Sequence, residues 1–413
     1  MRLCTNLCIL VTQFTHSLLI SRPLPKTFLT VAVMLLAAII IVTALGRGFA
    51  LDDFKVYYGA AQSFFGHRQV YDVVYATDRS IYKYSPFSAM LAGPFLVLPY
   101  SYAILVQYVI MSAVTTILLL LVFNLVNTYL FNSAIKWPNA VLLIVIVAFL
   151  QHLVRELTVG NINLLLLLFA CLSLYCILQK RFILSGILLA LVIVSKPFFV
   201  LLLMPLVLHK YYRTLVSTVA SLALFALLPA LVWGFAGDVE LHKQWLSTML
   251  THSGNYYSPN TLDMILRIYL YHGLPDSMQY VIILLACAVF VVLFHFNTGA
   301  KTGILVQKDF VMEWFLITGM LTTLFRTDTQ HFLFSVPLIT IWCCYLFTSR
   351  NKLSIALFIF AILLYDGNSF DIFGRDLSNK IYNAGVLGFG NIIIIIAATA
   401  IYFKHLRKIE QLS

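Results

Sequence analysis

The chain is a succession of long apolar runs separated by polar stretches. The first clean run covers 27–46. Further apolar windows lie near 86–98, 101–123, 139–154, 162–178, 182–195, 197–208, 214–235, 279–296, 310–325, 332–347, 353–365 and 386–403. About 20 apolar residues in a helix cross the roughly 30 Å of a bilayer's hydrocarbon, so 27–46 is a span. Several of the later windows are too short to span alone. These read as half-helices, tilted spans or re-entrant pieces, which occur where broken backbone lines a cavity. The pattern predicts an all-α polytopic transmembrane bundle of roughly ten to thirteen spans. The longest polar stretches are 47–84, 237–277 and 366–382. The organisation expected is an N-terminal cytoplasmic segment (1–26), a single membrane domain (27–404) carrying a long loop at 47–84, and a short cytoplasmic tail (405–413).

Composition agrees with this. The 413 residues are 61% hydrophobic and 10% charged, with a mean hydropathy of +0.94. Soluble domains are about 25% charged. The net charge of +11 is spread between the apolar runs, which argues for cytoplasmic loops and anionic lipid rather than nucleic acid. Arg22 and Lys26 precede the first span and put the N-terminus inside, which makes the 47–84 loop extracytoplasmic. The basic runs Gln179-Lys180-Arg181, His209-Lys210-Tyr211-Tyr212-Arg213 and Lys404-His405-Leu406-Arg407-Lys408 are placed inside by the same rule. Windows 182–195 and 197–208 are then an up-and-down pair with Lys196-Pro197 at its outer turn. This parity requires one segment between 101 and 178 to be re-entrant or not a span. The seven cysteines mostly lie in apolar runs, and no Cys-x-x-Cys or Cys/His metal spacing is present.

The chemistry concentrates in the loop. Two adjacent carboxylates, Asp52 and Asp53, sit where a bilayer surface is expected, a costly position that usually marks function. Residues 53–65 read as an amphipathic helix with an apolar face of Phe54, Tyr57, Tyr58, Ala61, Phe64 and Phe65, lying in the interface. Asp53 falls in its first turn, where the helix dipole favours a negative charge. Simple capping of that helix by Asp52 or Asp53 is the plain structural alternative. Arg155-Glu156 reads as an ion pair orienting a helix end. Lys196, inside an apolar hairpin, faces a cavity, a partner or the interface.

The wider pattern reads Asp53-Phe54-Lys55-Val56-Tyr57, then Val70-Tyr71, Tyr84-Ser85-Pro86 and Leu98-Pro99. Gly160-Asn161-Ile162-Asn163, Lys196-Pro197, Ser258-Pro259-Asn260-Thr261 with Arg267, and Thr327-Asp328-Thr329-Gln330-His331 come next, in that order. Over about 48–335 this resembles glycosyltransferase family 87, the polyprenyl-phosphate-mannose type of the GT-C superfamily. The chain departs from the family's pattern at Asn161, where a Gln is usual, and in lacking a Trp at 327–331.

The resemblance implies a membrane-embedded, inverting glycosyltransferase. It would move a hexose, mannose by family type, from a polyprenyl-phosphate donor to a hydroxyl of a glycan or glycolipid. Asp53 would be its general base, with Asp52 the alternative, since one carboxylate within hydrogen-bond reach of the acceptor hydroxyl suffices for inversion. The leaving phosphate needs cations or oriented donors. Those implied are Lys196, Arg267, Arg326 and His331, with Lys83 and Arg79 as loop alternatives. Tyr57, Tyr84, Asn161, Asn163 and Asn260 complete the expected substrate contacts. No cofactor is expected. Asp52 and Asp53 lack Asp-x-Asp spacing and the donor has no diphosphate to bridge, so no metal is expected either. The location expected is a bacterial inner membrane, with an endoplasmic reticulum membrane as the alternative, and the site on the extracytoplasmic face. Two other function classes fit the composition. A lipid-sugar flippase would show paired, inverted halves, which the sequence lacks. A non-catalytic subunit of a polysaccharide assembly complex would not depend on Asp53.

Overall fold

The first apolar run folds as the helix Lys26–Gly46, and the elements after it are helices as well. The computed structural model describes residues 25–46, 51–76, 80–255, 257–296 and 303–407. Among these there is no strand; one isolated bridge joins Val74 and Ile81. The expected all-α bundle is present.

The apolar windows are not each a span. Among the described residues, five helices are long and apolar enough to cross a membrane: Lys26–Leu45, Tyr100–Leu130, Met278–His295, Thr329–Ser349 and Val386–Leu406. Two bent pairs, Pro138–Ala148 with Leu150–Val159 (67°) and Tyr212–Leu227 with Ala230–Thr251 (92°), raise the number to seven if each counts once. The windows at 86–98, 162–178, 182–195 and 197–208 become apolar helices of 10–17 residues. At 1.5 Å per residue these reach roughly 15–25 Å, short of a bilayer's hydrocarbon. The window at 310–325 lies in the helix Gly303–Leu324, which buries Lys308, Asp309 and Glu313. By length and apolarity alone, five to seven of the described helices could cross, set against the roughly ten to thirteen spans expected with short and re-entrant pieces counted. The bends supply the broken pieces that the short windows implied.

Two large apolar clusters, beside a small third one of Phe87, Ala190, Val194 and Phe225, hold the chain together. The larger runs through the bundle, from Phe28 and Leu36 through Leu118, Leu167, Phe199 and Trp314 to Trp342 and Tyr402. The smaller is rich in aromatics: Phe54, Tyr57, Tyr58, Phe64, Tyr71 and Tyr82 pack with Leu51, Val70 and Leu241. It seats the loop on the bundle. The segment Ala230–Asn255, two helices that meet at Gly234 (φ +68°, ψ 167°), clamps that loop from outside: Trp233 Nε1 donates to the Phe64 carbonyl (2.9 Å), Trp245 Nε1 to the Lys83 carbonyl (3.2 Å), and Thr248 Oγ1 to Asp72 (3.2 Å). On the outside, Val33, Met34, Val42 and Leu45 of the first helix are exposed. In the helix Met278–His295 only 17% of the apolar stretch is buried. Such apolar outer faces are what lipid would cover.

One break in the bundle positions the site. Phe149 leaves helical geometry (φ −131°, ψ 26°), and the next helix begins at Leu150. Its first N–H groups have no partner within the helix. Asp366, from a distant helix, supplies one: its carboxylate accepts from Gln151 N (3.0 Å) and His152 N (3.3 Å). The helix then ends at Gly160, in the left-handed region at φ +73°. A Cβ there would lie 2.8 Å from Phe54 Cβ and 2.9 Å from Leu51 Cβ. Glycine thus lets the loop helix and the bundle meet backbone to side chain.

Candidate active site

The expected helix over 53–65 forms as Asp52–Phe65. Phe54, Tyr57, Tyr58, Ala61 and Phe64 of its predicted apolar face are buried, while Phe65 is 42% exposed. Neither aspartate caps it. The N-cap is Leu51, in the left-handed region, with no side-chain hydrogen bond. Asp53 instead turns toward Asn161, whose Nδ2 donates to Asp53 Oδ2 at 2.7 Å. Asn161 Oδ1 in turn accepts from Tyr57 Oη (3.2 Å) and from Ile162 N (2.7 Å). Tyr57 and Tyr84 share a hydrogen bond of 3.1 Å between hydroxyls. Burial pushes the Tyr57 hydroxyl pKa well up, with the neighbouring Tyr84 and Asp53 adding to the rise; burial likewise raises Tyr84. Both phenols are therefore donors at neutral pH and not bases. A run Tyr84–Tyr57–Asn161–Asp53 fixes how the Asp53 carboxylate is aimed.

A second network meets the first. Glu156 is fully buried, and does not pair with Arg155 as the sequence suggested. Its carboxylate accepts from Leu164 N (3.2 Å) and from Asn163 Nδ2 (2.8 Å), at the start of the next helix. The junction around Gly160 needs those bare helix N–H groups satisfied, and a buried acceptor does it. Asn163 Oδ1 accepts from Lys196 Nζ at 2.6 Å. Lys196 Nζ also meets His331 Nε2, and stands 5.6 Å from the centre of the Tyr84 ring. His331 Nδ1 lies 3.1 Å from the Asp328 carbonyl. A carbonyl only accepts, so Nδ1 carries the proton and Nε2 offers its lone pair to the lysine.

Both networks open on one cavity of about 470 Å³. Asp53, Tyr57, Lys83, Tyr84, Asn161, Lys196, Arg326 and His331 line it, all from the sequence-derived set. Asp52 does not, nor does Asn163, which stands one layer back under Lys196. Asn260 and Arg267 are also elsewhere. Asn260 is buried and accepts from Gly388 N (3.2 Å), while Arg267 Nη2 donates to Asp276 (2.8 Å). Arg326 reaches the cavity but is anchored on Asp263 (2.9 and 3.1 Å) and Asp276 (2.9 Å). Arg79 lies outside the described residues. Sequence reasoning missed Asp328, a second carboxylate in the lining, and the apolar wall of Phe198, Val200, Met249 and Phe325. Asp328 stood inside the 327–331 motif, and its nearness to His331 was a usable signal. The position of Asn260 gives a clear expectation. Asn260→Ala should lower stability by about 1–3 kcal/mol through the unpaired Gly388 N–H, and leave substrate KM unchanged per folded molecule. Thermal denaturation beside steady-state kinetics separates the two.

The arrangement can take a proton at Asp53 and hold an anion near Lys196, with ring faces of Tyr84 and Phe198 between polar ends. Comparison with known proteins gives the family. The model of glycosyltransferase family 87 matches residues 82–327. An alpha-(1->3)-arabinofuranosyltransferase of Corynebacterium glutamicum is 31% identical over 198 residues, which is 47% of this chain and 45% of that relative. The chain thus matches less than half the length of this relative. No solved structure matches. Asp53, Tyr57 and His331 lie outside the family match and belong with the site by geometry; Lys83, Tyr84, Asn161, Lys196 and Arg326 lie within it.

Proposed function

This chain belongs to glycosyltransferase family 87, and from that premise we propose that its cavity moves one sugar from a polyprenyl-phosphate carrier to a hydroxyl of a glycan or glycolipid, inverting the anomeric centre. The observation that carries the reading is the joint lining of one 470 Å³ cavity by Asp53, Lys196, Arg326 and His331. In this reading Asp53 takes the proton from the acceptor hydroxyl as its oxygen attacks the anomeric carbon. The bond from that carbon to the phosphate oxygen breaks, and the polyprenyl phosphate leaves with the electron pair. Lys196 and Arg326 offset the charge that develops on it. These cations make a metal unnecessary at this step. The aromatic and apolar wall takes the sugar face and the start of the isoprenoid. The site opens to the extracytoplasmic side of a bacterial inner membrane.

The sugar is a hexose, mannose, on the sequence resemblance, whereas the relative's name points to arabinofuranose. The test therefore carries both. Purified protein in vesicles is given labelled polyprenyl-phosphate-mannose or polyprenyl-phosphate-arabinofuranose, with crude membrane glycolipid as acceptor. Label passing to glycolipid from either donor supports the carrier and names the sugar. Donor moved across the bilayer without transfer would favour a flippase. Neither binding nor transfer with either donor would overturn the carrier assignment.

A further inference from the structure

A cluster of metal-ligating side chains lies away from the cavity. His209 comes just after the short helix Leu203–Leu208, His295 sits in the π-helical turn Val292–Phe296, and Glu313 is midway along Gly303–Leu324. Their ligand atoms all lie within 4.8 Å of one another. His209 Nε2 is 2.9 Å and His295 Nε2 3.3 Å from the same oxygen, Glu313 Oε1. The imidazole rings stand 5.3 Å apart at 73°, so both nitrogens converge on the carboxylate. Glu313 is fully buried, and its other oxygen, Oε2, has no hydrogen-bond partner among the described residues.

The hydrogen bond with His209 and the contact with His295 account for Oε1 alone. They leave Oε2 buried without a donor among the described residues, which is costly for a carboxylate. A cation accounts for both oxygens. Donor atoms of a tetrahedral zinc site stand about 3.4 Å apart, close to the separations seen here. Two imidazoles and one carboxylate suit zinc or its first-row neighbours rather than magnesium or calcium, which prefer oxygen throughout. The side chain of His295 is 22% exposed and leaves a path for entry. We infer that His209, His295 and Glu313 form a binding site for a divalent transition metal, zinc foremost.

The placement gives the ion a role apart from the reaction. Each of the three ligands lies on a stretch whose other end borders the cavity. Lys196 and Val200 lead down to His209, Gln279 leads down to His295, and Glu313 leads up to Phe325 and Arg326. At 1.5 Å per helical residue, the cluster is on the order of 20 Å from the cavity. The metal ties the far ends of these three stretches together.

The experiment titrates zinc, and cobalt as its visible reporter, into purified, chelator-stripped protein. Expected are one equivalent bound per chain, a cobalt d–d absorption of low coordination number, and a higher melting temperature. His209→Ala and Glu313→Gln should each weaken binding at least tenfold while the stripped proteins remain monodisperse. Absence of cobalt absorption and of stoichiometric zinc in the wild-type protein overturns the site, whether or not the variants fold. Binding of equal strength in the folded variants overturns the ligand set.

Discussion

Asp53→Asn should lower the rate of sugar transfer by about 10²–10⁴-fold, the usual worth of a general base, and leave folding nearly unchanged. The two halves of that expectation have different origins. Asparagine is the same size as aspartate and keeps an oxygen that Asn161 Nδ2 can reach at the 2.7 Å seen in the native pair. The loop helix, packed through Phe54, Tyr57 and Tyr58, has no reason to move. What is lost is a group able to accept a proton. Asp52→Asn is the matched control: Asp52 sits one residue away but outside the cavity lining, and its variant should run at close to the wild-type rate. Single-turnover transfer with pre-bound donor, beside melting temperature, reads both. Near-normal turnover in Asp53→Asn would sink the base assignment, and the next variant to make would be at Asp328, the other carboxylate in the lining.

Lys196→Met has the second large effect, on both transfer and stability. Methionine nearly matches the lysine in length but carries no charge and no donor. Transfer should fall about 10²–10³-fold, as on removing one oriented donor from a developing oxyanion. Asn163 Oδ1 and His331 Nε2 both lose their contact with Lys196 Nζ. Each buried polar atom left unpaired costs about 1–3 kcal/mol, so the melting temperature falls as well. Lys196→Arg should not restore activity. The lysine is only 7% exposed, and its compact ammonium occupies a slot between an amide and an imidazole that a planar guanidinium does not fit. Wild-type donor affinity in Lys196→Met would remove the phosphate from this residue.

Much of the site could be read in the chain because its residues announce themselves chemically. Carboxylates beside a membrane surface and a lysine in an apolar hairpin are costly, and cost is visible in composition. Asp52, Asp53 and Lys196 stood out that way, and the family resemblance set Asp53 ahead of Asp52. Asn161 was found by its place in a motif. The chain did not show which way a polar residue turns. Asn260 and Arg267 occupy motif positions, yet one holds a glycine N–H and the other a carboxylate nine residues on. Glu156 looked like the partner of its neighbour Arg155, because sequence proximity is the only distance a sequence displays. Its true partners begin the next helix, a consequence of the turn at Gly160. The number of crossings was hard to read for a related reason. An apolar helix of 14 residues such as Phe182–Ser195 has the hydropathy of a span without its length. His209, His295 and Glu313 gave no sequence signal at all, since their spacing belongs to no motif and only the packing of three separate stretches joins them.

The outer helix Met278–His295, mostly turned away from the protein, contributes Gln279 to the cavity lining. The rim of the cavity therefore includes the start of a helix whose outer face is apolar and exposed. On the proposed reading, a carrier with a long hydrocarbon tail reaches the chamber by two-dimensional diffusion, and its tail never leaves the lipid. Its effective concentration is then a mole fraction of the surrounding lipid, not a molarity in water. Diluting the vesicles with inert phospholipid, at constant carrier per unit volume, should slow transfer in proportion, while diluting the whole suspension with buffer should leave the rate per enzyme unchanged. Surface dilution of this kind would mark an enzyme supplied from within the membrane.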